Sequence, residues 1–420
     1  MLNDIEEVYR AVLLLGKITR VYIRKIMNKR ISIVSSAYFP TTPQEFRLAL
    51  SVKDENWDVD VICLKQRDDQ KNEVVYGINV YRLPISRKRG GAIKYIYRYA
   101  LLTIAVFLKL TVLYFAKQYS IIEVHSMPDF LVFTSIIPKL LGIHVILFMT
   151  DLMPEVYATK KHCSSEGFML KLLKLLERMS TNFADAIITV NNNYAQLLGK
   201  RGTEISKITV LHNAPRESVF GKLRTPKMDY NKEKFVLLFH GTITERHGLE
   251  TAIQSVPYLK DKIPNVQLQI VGGGEYFGGE YFGKITELVN ELNIEKYVWY
   301  RGCFRVEEIP FIIEQADVGV VPHRKTVFAE TNVPNRVFEY LWMGKPVVMS
   351  RTQGVLNYFD DSSIMYFEPE NPEDMARAIL NIYNNPEKAR QLVINGQKIC
   401  QKYQWETEKK KYIRLIERLS

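Results

Sequence analysis

Four groups of residues have the types and places that chemistry on a phosphorylated ligand requires. His125 stands directly after the apolar run Ile121–Val124 and ahead of Met127-Pro128. Asp151 and Glu155, in Thr150-Asp151-Leu152-Met153-Pro154-Glu155, follow the run Val145–Met149 in the same way. Parallel sheets hold their ligands at the carboxyl ends of strands, so these three are candidate ligand groups. A third group is Gly241-Thr242-Ile243-Thr244-Glu245-Arg246-His247-Gly248, which follows Phe235–Phe239 and opens a helix. Arg246 and His247 at a helix N-terminus concentrate the positive potential that suits a diphosphate. The fourth is Pro334-Asn335-Arg336-Val337-Phe338-Glu339-Tyr340-Leu341, which opens a helix after Val318–Val321. Its free N–H groups and Arg336 can take an anion. Glu339, one turn further in, can accept from both hydroxyls of a ribose. Anion contacts with a hydroxyl acceptor one turn on fit a nucleoside diphosphate better than a bare phosphate.

Weaker signals are read more plainly. Gly272–Gly274 follows the strand Val266–Val271 and could cradle a phosphate, but no Lys-Ser/Thr or GxGxxG follows it, so a tight turn is the simpler reading. Asp58-Val59-Asp60 has the DxD form found at metal sites, and Asp68-Asp69 and Asp360-Asp361 are similar pairs. All are read as solvated edges, and no essential metal or other cofactor is expected. GEYFG occurs twice in tandem within Gly273–Gly283 and is read as a loop. Cys63, Cys163, Cys303 and Cys400 lie far apart with no CxxC, which excludes a disulfide framework or zinc site and fits a reducing compartment.

The elements that position these residues alternate. Strands are expected at Ile31–Ala37, Val59–Leu64, Ile78–Arg82, Ile121–Val124, Val145–Met149 and Ala186–Val190. Helices are expected at Phe46–Glu55, 92–117, 128–141 and 166–182. Such alternation makes a doubly wound parallel sheet. After Pro215 and the polar stretch Lys222–Lys234 the pattern restarts at Phe235–Phe239, with strands at Val266–Val271 and near 297–301, 317–321 and 346–349. The chain of 420 residues, 47% of them apolar, is long enough for two Rossmann-like halves, and a cleft between them is the default ligand site. The expected domains are a leader at 1–29, halves at 30–215 and 216–403, and a terminal helix at 404–420.

Lys and Arg number 57 against 46 acids, a net charge of +11. The excess is concentrated: Lys17–Arg30 carries six basic residues and Arg82–Lys117 eight, neither with an acid. Both stretches are also apolar, which points to an anionic membrane surface rather than nucleic acid. On a helix, Arg10, Lys17, Arg20 and Arg24 fall within an arc of about 80°, opposite an apolar arc of about 100°. The leader thus reads as an amphipathic basic helix lying on a membrane or packed on the protein itself. Acids at Asp4, Glu6 and Glu7 precede its short apolar run, unlike a secretory signal. Tyr99–Ala116, with only Lys109 charged, is read as a buried or in-plane helix rather than a span, because strands flank it.

Taken together, the motifs resemble family 4 glycosyltransferases, retaining enzymes of the GT-B fold that use nucleotide sugars. The resemblance covers about residues 31–420. It rests on Tyr38-Phe39-Pro40, Val124-His125-Ser126, Asp151–Glu155, Ala184–Val190, His212-Asn213, Arg246-His247-Gly248-Leu249, Ala316–Pro322, and Pro334–Tyr340 followed by Gly344-Lys345-Pro346-Val347-Val348. The nearest subgroup is that of bacterial and archaeal surface-polysaccharide assembly. The resemblance implies that His125 contacts the donor sugar near its reacting carbon. It places Arg246 and His247 on the diphosphate, Gly241, Thr242, Pro334, Asn335 and Arg336 around the donor, and Glu339 on the ribose as the second glutamate of an EX7E motif. Thr331 stands where the first glutamate falls, with Glu330 one residue earlier, and joins Asp151 and Glu155 as acceptor-side candidates. The partners implied are a nucleotide sugar of UDP or GDP type, a lipid-linked or saccharide acceptor and an anionic membrane. The expected location is the inner face of the cell membrane, held peripherally. Two alternatives stand beside this: a non-catalytic basic Rossmann pair binding nucleic acid or a partner, and another GT-B enzyme such as a nucleotide-sugar epimerase.

Overall fold

A computed structural model of the chain describes residues 29–66, 69–85, 92–160, 167–230, 233–273 and 280–420. The leader, apart from Lys29, lies outside them, as do Cys163, Gly274 and most of the tandem GEYFG segment. The chain forms two compact units. Unit 1 holds the described residues of Met1–Pro154, Ser165–Leu211 and Lys409–Ser420; unit 2 holds those of Glu155–Ser164 and His212–Glu408.

Unit 1 is built on eight strands: β1 (Arg30–Tyr38), β2 (Asp58–Leu64), β3 (Asn72–Val75), β4 (Ile78–Leu83), β5 (Ile121–His125), β6 (His144–Met149), β7 (Ala186–Thr189) and β8 (Ile208–Val210). They lie in the order β3-β4-β2-β1-β5-β6-β7-β8, parallel throughout except for the antiparallel pair β3–β4. The central strands are buried on both faces, which is why they read as unbroken apolar runs. The hairpin that adds β3 was not expected. It turns on Tyr76 (φ 51°) and Gly77 (φ 73°), and two positive φ values are what a two-residue hairpin needs.

Two further differences have local causes. The expected helix 128–141 is a 3₁₀ segment, Asp129–Ser135, followed by a short helix, Ile136–Leu140. Thr134 and Ser135 hydroxyls donate to the carbonyls of Leu131 and Val132, at 2.7 and 2.6 Å, and such local bonds compete with α-helical turns. The basic excess of 82–117 is partly consumed inside the unit. Arg82 is buried between Asp69 and Glu73, and Lys117 reaches Asp60 at 2.8 Å.

Unit 2 has six strands: β9 (Phe235–His240), β10 (Val266–Val271), β11 (Val298–Gly302), β12 (Val318–Val321), β13 (Val347–Ser350) and β14 (Met365–Phe367). Their order is β11-β10-β9-β12-β13-β14, all parallel. The sheet winds outward from β9 in both directions, so the chain reverses between β9 and β12. In unit 1 the reversal lies between β1 and β5. At each reversal the flanking loops diverge, and each leaves a crevice at the carboxyl ends of its strands. The terminal helix Trp405–Leu419 belongs to unit 1 from Lys409 onward, where buried Tyr412 donates to Glu123 at 2.8 Å.

Candidate active site

The crevice of unit 2 collects Arg336, Glu339, His240, Arg246, His247 and His323. Arg336 enters from the first turn of the helix Asn335–Trp342, whose N-terminal neighbour Pro334 is extended and provides no side-chain cap. The helix buries its other face through Val337, Tyr340 and Leu341, which fixes where Arg336 and Glu339 point. The Arg336 guanidinium lies 4.8 Å from the centroid of Phe239 and directly against Gly241. A Cβ at position 241 would stand 2.8 Å from Arg336 Nη2, and Gly241 itself has φ 120°, so only glycine fits there. Arg336 is 8% exposed, and its Nη1 atom has no hydrogen-bond partner.

Glu339 sits one turn inside the same helix with a side chain 23% exposed, its Oε2 3.3 Å from His240 Nε2. Burial pushes its carboxyl up to about 7, against the pull of Arg336. Burial and then Arg336 push His240 down to about 3, so that imidazole is neutral.

Arg246 comes from the 3₁₀ turn Glu245–His247, after β9. Its guanidinium lies 4.5 Å from the ring of Phe328, and its buried Nε has no partner. His247 Nδ1 donates to the carbonyl of Thr242 at 2.6 Å, which fixes the tautomer, and the ring stacks on His323 at 5.0 Å. Burial, Arg336 and Arg246 hold His247 well below the usual histidine range. Burial, His247 and the same two arginines do so for His323. Gly248 then turns the chain at φ 62°, where a Cβ would stand 1.9 Å from the carbonyl oxygen of Pro322. That contact seats the turn against the end of β12.

The charge balance here is one-sided. Arg324, from the same strand end as His323, is clasped by Glu245 and Glu250. Among the described residues no carboxylate lies within ion-pair distance of Arg246 or Arg336. Two guanidinium groups with unused donors, beside three imidazoles held neutral, have the chemistry to take an anion.

At the crevice of unit 1, His125 ends β5. Its ring stacks on Phe148 at 4.7 Å and is 2% exposed. Nε2 lies 2.6 Å from Glu123 Oε1, and Nδ1 lies 3.8 Å from Glu45 Oε1, which also accepts from Ser35 at 2.6 Å. Burial alone would lower this histidine, but the hydrogen bond and charge of Glu123, with Glu45 behind, raise it. Ser36 donates to the carbonyl of Met127 at 2.6 Å and so ties the end of β1 to the loop after His125.

The remaining expected residues fall as follows. Asn335 and Thr242 are exposed at the mouth of the unit 2 crevice. Thr331 donates to the carbonyls of Val327 and Phe328 in its own turn, and Glu330 accepts the N–H of Gln353 at 2.9 Å. Asp151 belongs to unit 1; Glu155 is buried on the helix Met153–Lys160 and counts with unit 2. Asp60 of the DxD sequence is not a solvated edge. It is fully buried and accepts from Asn79, Lys117 and Tyr119, while Asp58 pairs with Arg30 at 2.5 Å. Both lie at the amino end of β2, away from the ligand end of the sheet. Among the described residues no group of three or more His, Cys, Asp or Glu is placed to hold a metal ion. Sequence reasoning missed His240, His323, Glu123 and Glu45. The first two follow a strand directly or within two residues, the same signal that marked His125.

Two family models match the chain. One, described as "Glycosyl transferase 4-like domain", covers residues 46–214, and the other, "Glycosyl transferases group 1", covers residues 225–399. The chain belongs to the family 4 glycosyltransferases. Its two parallel-sheet units are those of the GT-B fold. Over 93% of this family 4 chain and 98% of the other, the fold matches a sucrose-phosphate synthase from Thermosynechococcus elongatus with a TM-score of 0.75 at 19% identity. An Anabaena protein solved in complex with UDP-glucose matches with a TM-score of 0.69 at 15% identity, over 92% of this chain and 99% of that one. Among curated relatives, an uncharacterized glycosyltransferase of Methanocaldococcus jannaschii is 27% identical over 199 residues, 44% of each chain. A GDP-mannose-dependent alpha-(1-6)-phosphatidylinositol monomannoside mannosyltransferase of Mycolicibacterium smegmatis is 25% identical over 170 residues, 39% of this chain and 43% of that one. The matches thus span less than half the length of these curated relatives.

Proposed function

We propose that this chain transfers a sugar from a nucleoside-diphosphate sugar to a lipid-linked saccharide acceptor, retaining the anomeric configuration, in the assembly of a cell-surface polysaccharide or glycolipid. The observation that carries the reading is the pair Arg246 and Arg336, whose unused donors lie at the carboxyl ends of β9 and β12 with no carboxylate within ion-pair distance among the described residues. In the transfer, the bond from the anomeric carbon to the diphosphate breaks and a bond to the acceptor oxygen forms. Charge develops on the departing diphosphate, and fixed guanidinium groups stabilise it without a metal ion. The acceptor hydroxyl's proton passes to the departing phosphate, so no separate base is required. Glu339 accepts from the ribose hydroxyls, His247 joins Arg246 beside the diphosphate, and the family resemblance gives His125 the donor sugar. Asp151, Glu155 and Thr331 remain the acceptor-side candidates. The lipid-linked acceptor is supported by the mycobacterial relative, whose name specifies a phosphatidylinositol mannoside, and by the basic, apolar leader. The same features support a peripheral location on the cytoplasmic leaflet.

The test is a panel of UDP, GDP and ADP sugars incubated with lipid extract, with the anomeric configuration of the product read by NMR. One donor should give a product of retained configuration, with or without chelator. An inverted product, or a requirement for Mn²⁺ or Mg²⁺ in the transfer, would overturn the mechanism. Absence of transfer from every donor would overturn the reading.

A further inference from the structure

The exposed apolar surface of the molecule is distributed unevenly. Of the twenty large apolar side chains exposed among the described residues, thirteen lie in three segments of unit 1: the helix Ala92–Lys117, the stretch 136–141 and the helix Phe168–Phe183. Unit 2 contributes four. On the helix Ala92–Lys117 the exposed residues are Tyr97, Leu101, Ile104, Leu108, Val112 and Phe115, each between 41% and 69% exposed. At 100° per residue they fall within an arc of about 80°, a single stripe along the helix. The opposite side, through Leu102, Val106, Leu110 and Leu113, is packed into the core of unit 1.

The second helix repeats the pattern with charge added. Phe168, Leu175 and Met179 are exposed within an arc of about 40°. Lys171, Lys174 and Arg178 are exposed along the flank of that arc. Its single acid, Glu177, is buried and bound to Arg201 at 2.9 Å, and the first helix has no acid at all. Both helices pack on the same turn, Asp129–Ser135. Tyr99 meets Phe130 with ring centroids 6.2 Å apart, and Phe183 meets Phe133 at 5.1 Å. Next to that turn stand Leu140, 81% exposed, and Leu141.

We infer that this two-helix face of unit 1 lies on an anionic lipid bilayer, its apolar stripes in the acyl boundary and Lys171, Lys174 and Arg178 among the head groups. The occupant follows from the chemistry. Exposed leucine, phenylalanine and methionine beside Lys and Arg that pair with no acid among the described residues complement a surface that is apolar below and anionic above. The helix Ala92–Lys117 is long and apolar enough to cross a membrane by length and composition. It lies in the plane instead, because its buried side is part of the unit 1 core and because β4 and β5, in one sheet, hold its two ends. The inference deepens the membrane location proposed above and rests on it, but assigns the contact to the folded unit rather than to the leader.

The experiment is sedimentation of the full chain with vesicles of phosphatidylcholine alone and of phosphatidylcholine mixed with phosphatidylglycerol, whose anionic head groups attract Lys and Arg. Three variants are compared: Leu140→Glu/Phe168→Glu, Leu108→Asn/Val112→Asn, and Lys171→Gln/Lys174→Gln/Arg178→Gln. The altered side chains are exposed, so melting temperature and nucleotide binding should match the wild type. All three variants should lower partition onto anionic vesicles by about tenfold or more. Only the lysine–arginine variant should also lose the preference for anionic over neutral lipid. Wild-type partition in all three would overturn the inference and leave the leader as the sole contact. A concentration-dependent dimer without lipid, abolished by the same variants, would overturn it in favour of a second copy of the chain. Loss of sugar transfer with vesicle binding intact would count against the proposed reaction and leave this face standing.

Discussion

The two units use the same winding and the same residue type at the reversal of their sheets, and they treat it in opposite ways. In unit 1, His125 ends β5 beside two carboxylates, Glu123, which accepts from Tyr412, and Glu45, which accepts from Ser35, and its proton is held more tightly than usual. In unit 2, His240, His247 and His323 cluster near Arg246 and Arg336, and all three hold a proton less tightly than usual. Unit 1 therefore sets its buried histidine against carboxylates. Unit 2 places two arginines at the same place in its fold, with no carboxylate within ion-pair distance of either among the described residues and Glu339 acting on Arg336 only from further off. The first arrangement holds its partners within the unit; the second keeps donors that an anion could use. Groups left unsatisfied at a stability cost are the mark of a binding site.

The largest expected effect tests the first half of this contrast. His125→Ala leaves Glu123 buried with only Tyr412 beside it. Breaking a buried pair from one side costs about 3–5 kcal/mol, so thermal unfolding should show a loss of that order. Nucleoside diphosphate affinity, measured on the folded protein, should stay within about twofold, because a 1.4 kcal/mol change is needed for tenfold. A variant as stable as the wild type would break the claim that His125 is the partner that Glu123 needs inside unit 1.

Arg336→Met tests the other half. It removes a buried cation that burial disfavours and that has no carboxylate within ion-pair distance among the described residues, so the ligand-free protein should melt no lower than the wild type. Nucleoside diphosphate affinity should fall about a hundredfold, the worth of a charge-assisted fork at about 3 kcal/mol. His240, His247 and His323 should all titrate closer to the ordinary histidine value in NMR, because Arg336 depresses each of them. A strongly destabilised variant would show that Arg336 is structural.

Glu339→Gln is expected to weaken nucleotide binding by roughly tenfold to a hundredfold, a charge-assisted bond being worth about 1.5–3 kcal/mol. It also sharpens the pH dependence. With Glu339 pushed up to about 7, ribose hydroxyls find an acid below that pH and an acceptor above it. Binding then releases a proton, and affinity should rise by up to about tenfold between pH 6 and 8. Calorimetry should show that part of the rise missing in Glu339→Gln; an identical rise would place the titration on the phosphate instead.

The smallest effect is on stability against pH, and its sign differs between the units. A histidine raised in the folded state stabilises below its ordinary value, and that contribution fades as pH rises through the raised one. His125 should therefore favour the folded protein at low pH. The three lowered histidines act oppositely: as pH falls below about 6.5 the unfolded chain takes up protons that the folded site refuses. Added diphosphate should relieve the acid loss, and relief by chloride at equal ionic strength would show simple screening.

Much of this was legible from sequence because it is local. The parallel strands appear as apolar runs, His125 is a candidate because it stands directly after one, and Arg246, Arg336 and Glu339 are candidates because they stand at helix starts that follow strands. What escaped was partnership at long range. Nothing near Glu123 announces that Tyr412 will reach it, and nothing near Asp60 announces Asn79, Lys117 and Tyr119. The DxD spacing therefore read as solvated when one carboxylate is fully enclosed. The basic run from Arg82 to Lys117 similarly read as outward charge, although its two end residues are paired within the unit. The β3–β4 hairpin was hidden because Tyr76-Gly77 is a weaker turn signal than Asn-Gly.

The contrast between the units is tested most directly by calorimetry of UDP, GDP and ADP against their nucleosides, on the wild type and on Arg336→Met. If the unit 2 cluster binds a diphosphate, one nucleoside diphosphate binds, its nucleoside binds at least about a hundredfold more weakly, and Arg336→Met loses most of the difference. Equal binding of diphosphate and nucleoside, or a diphosphate affinity untouched by Arg336→Met, would contradict it.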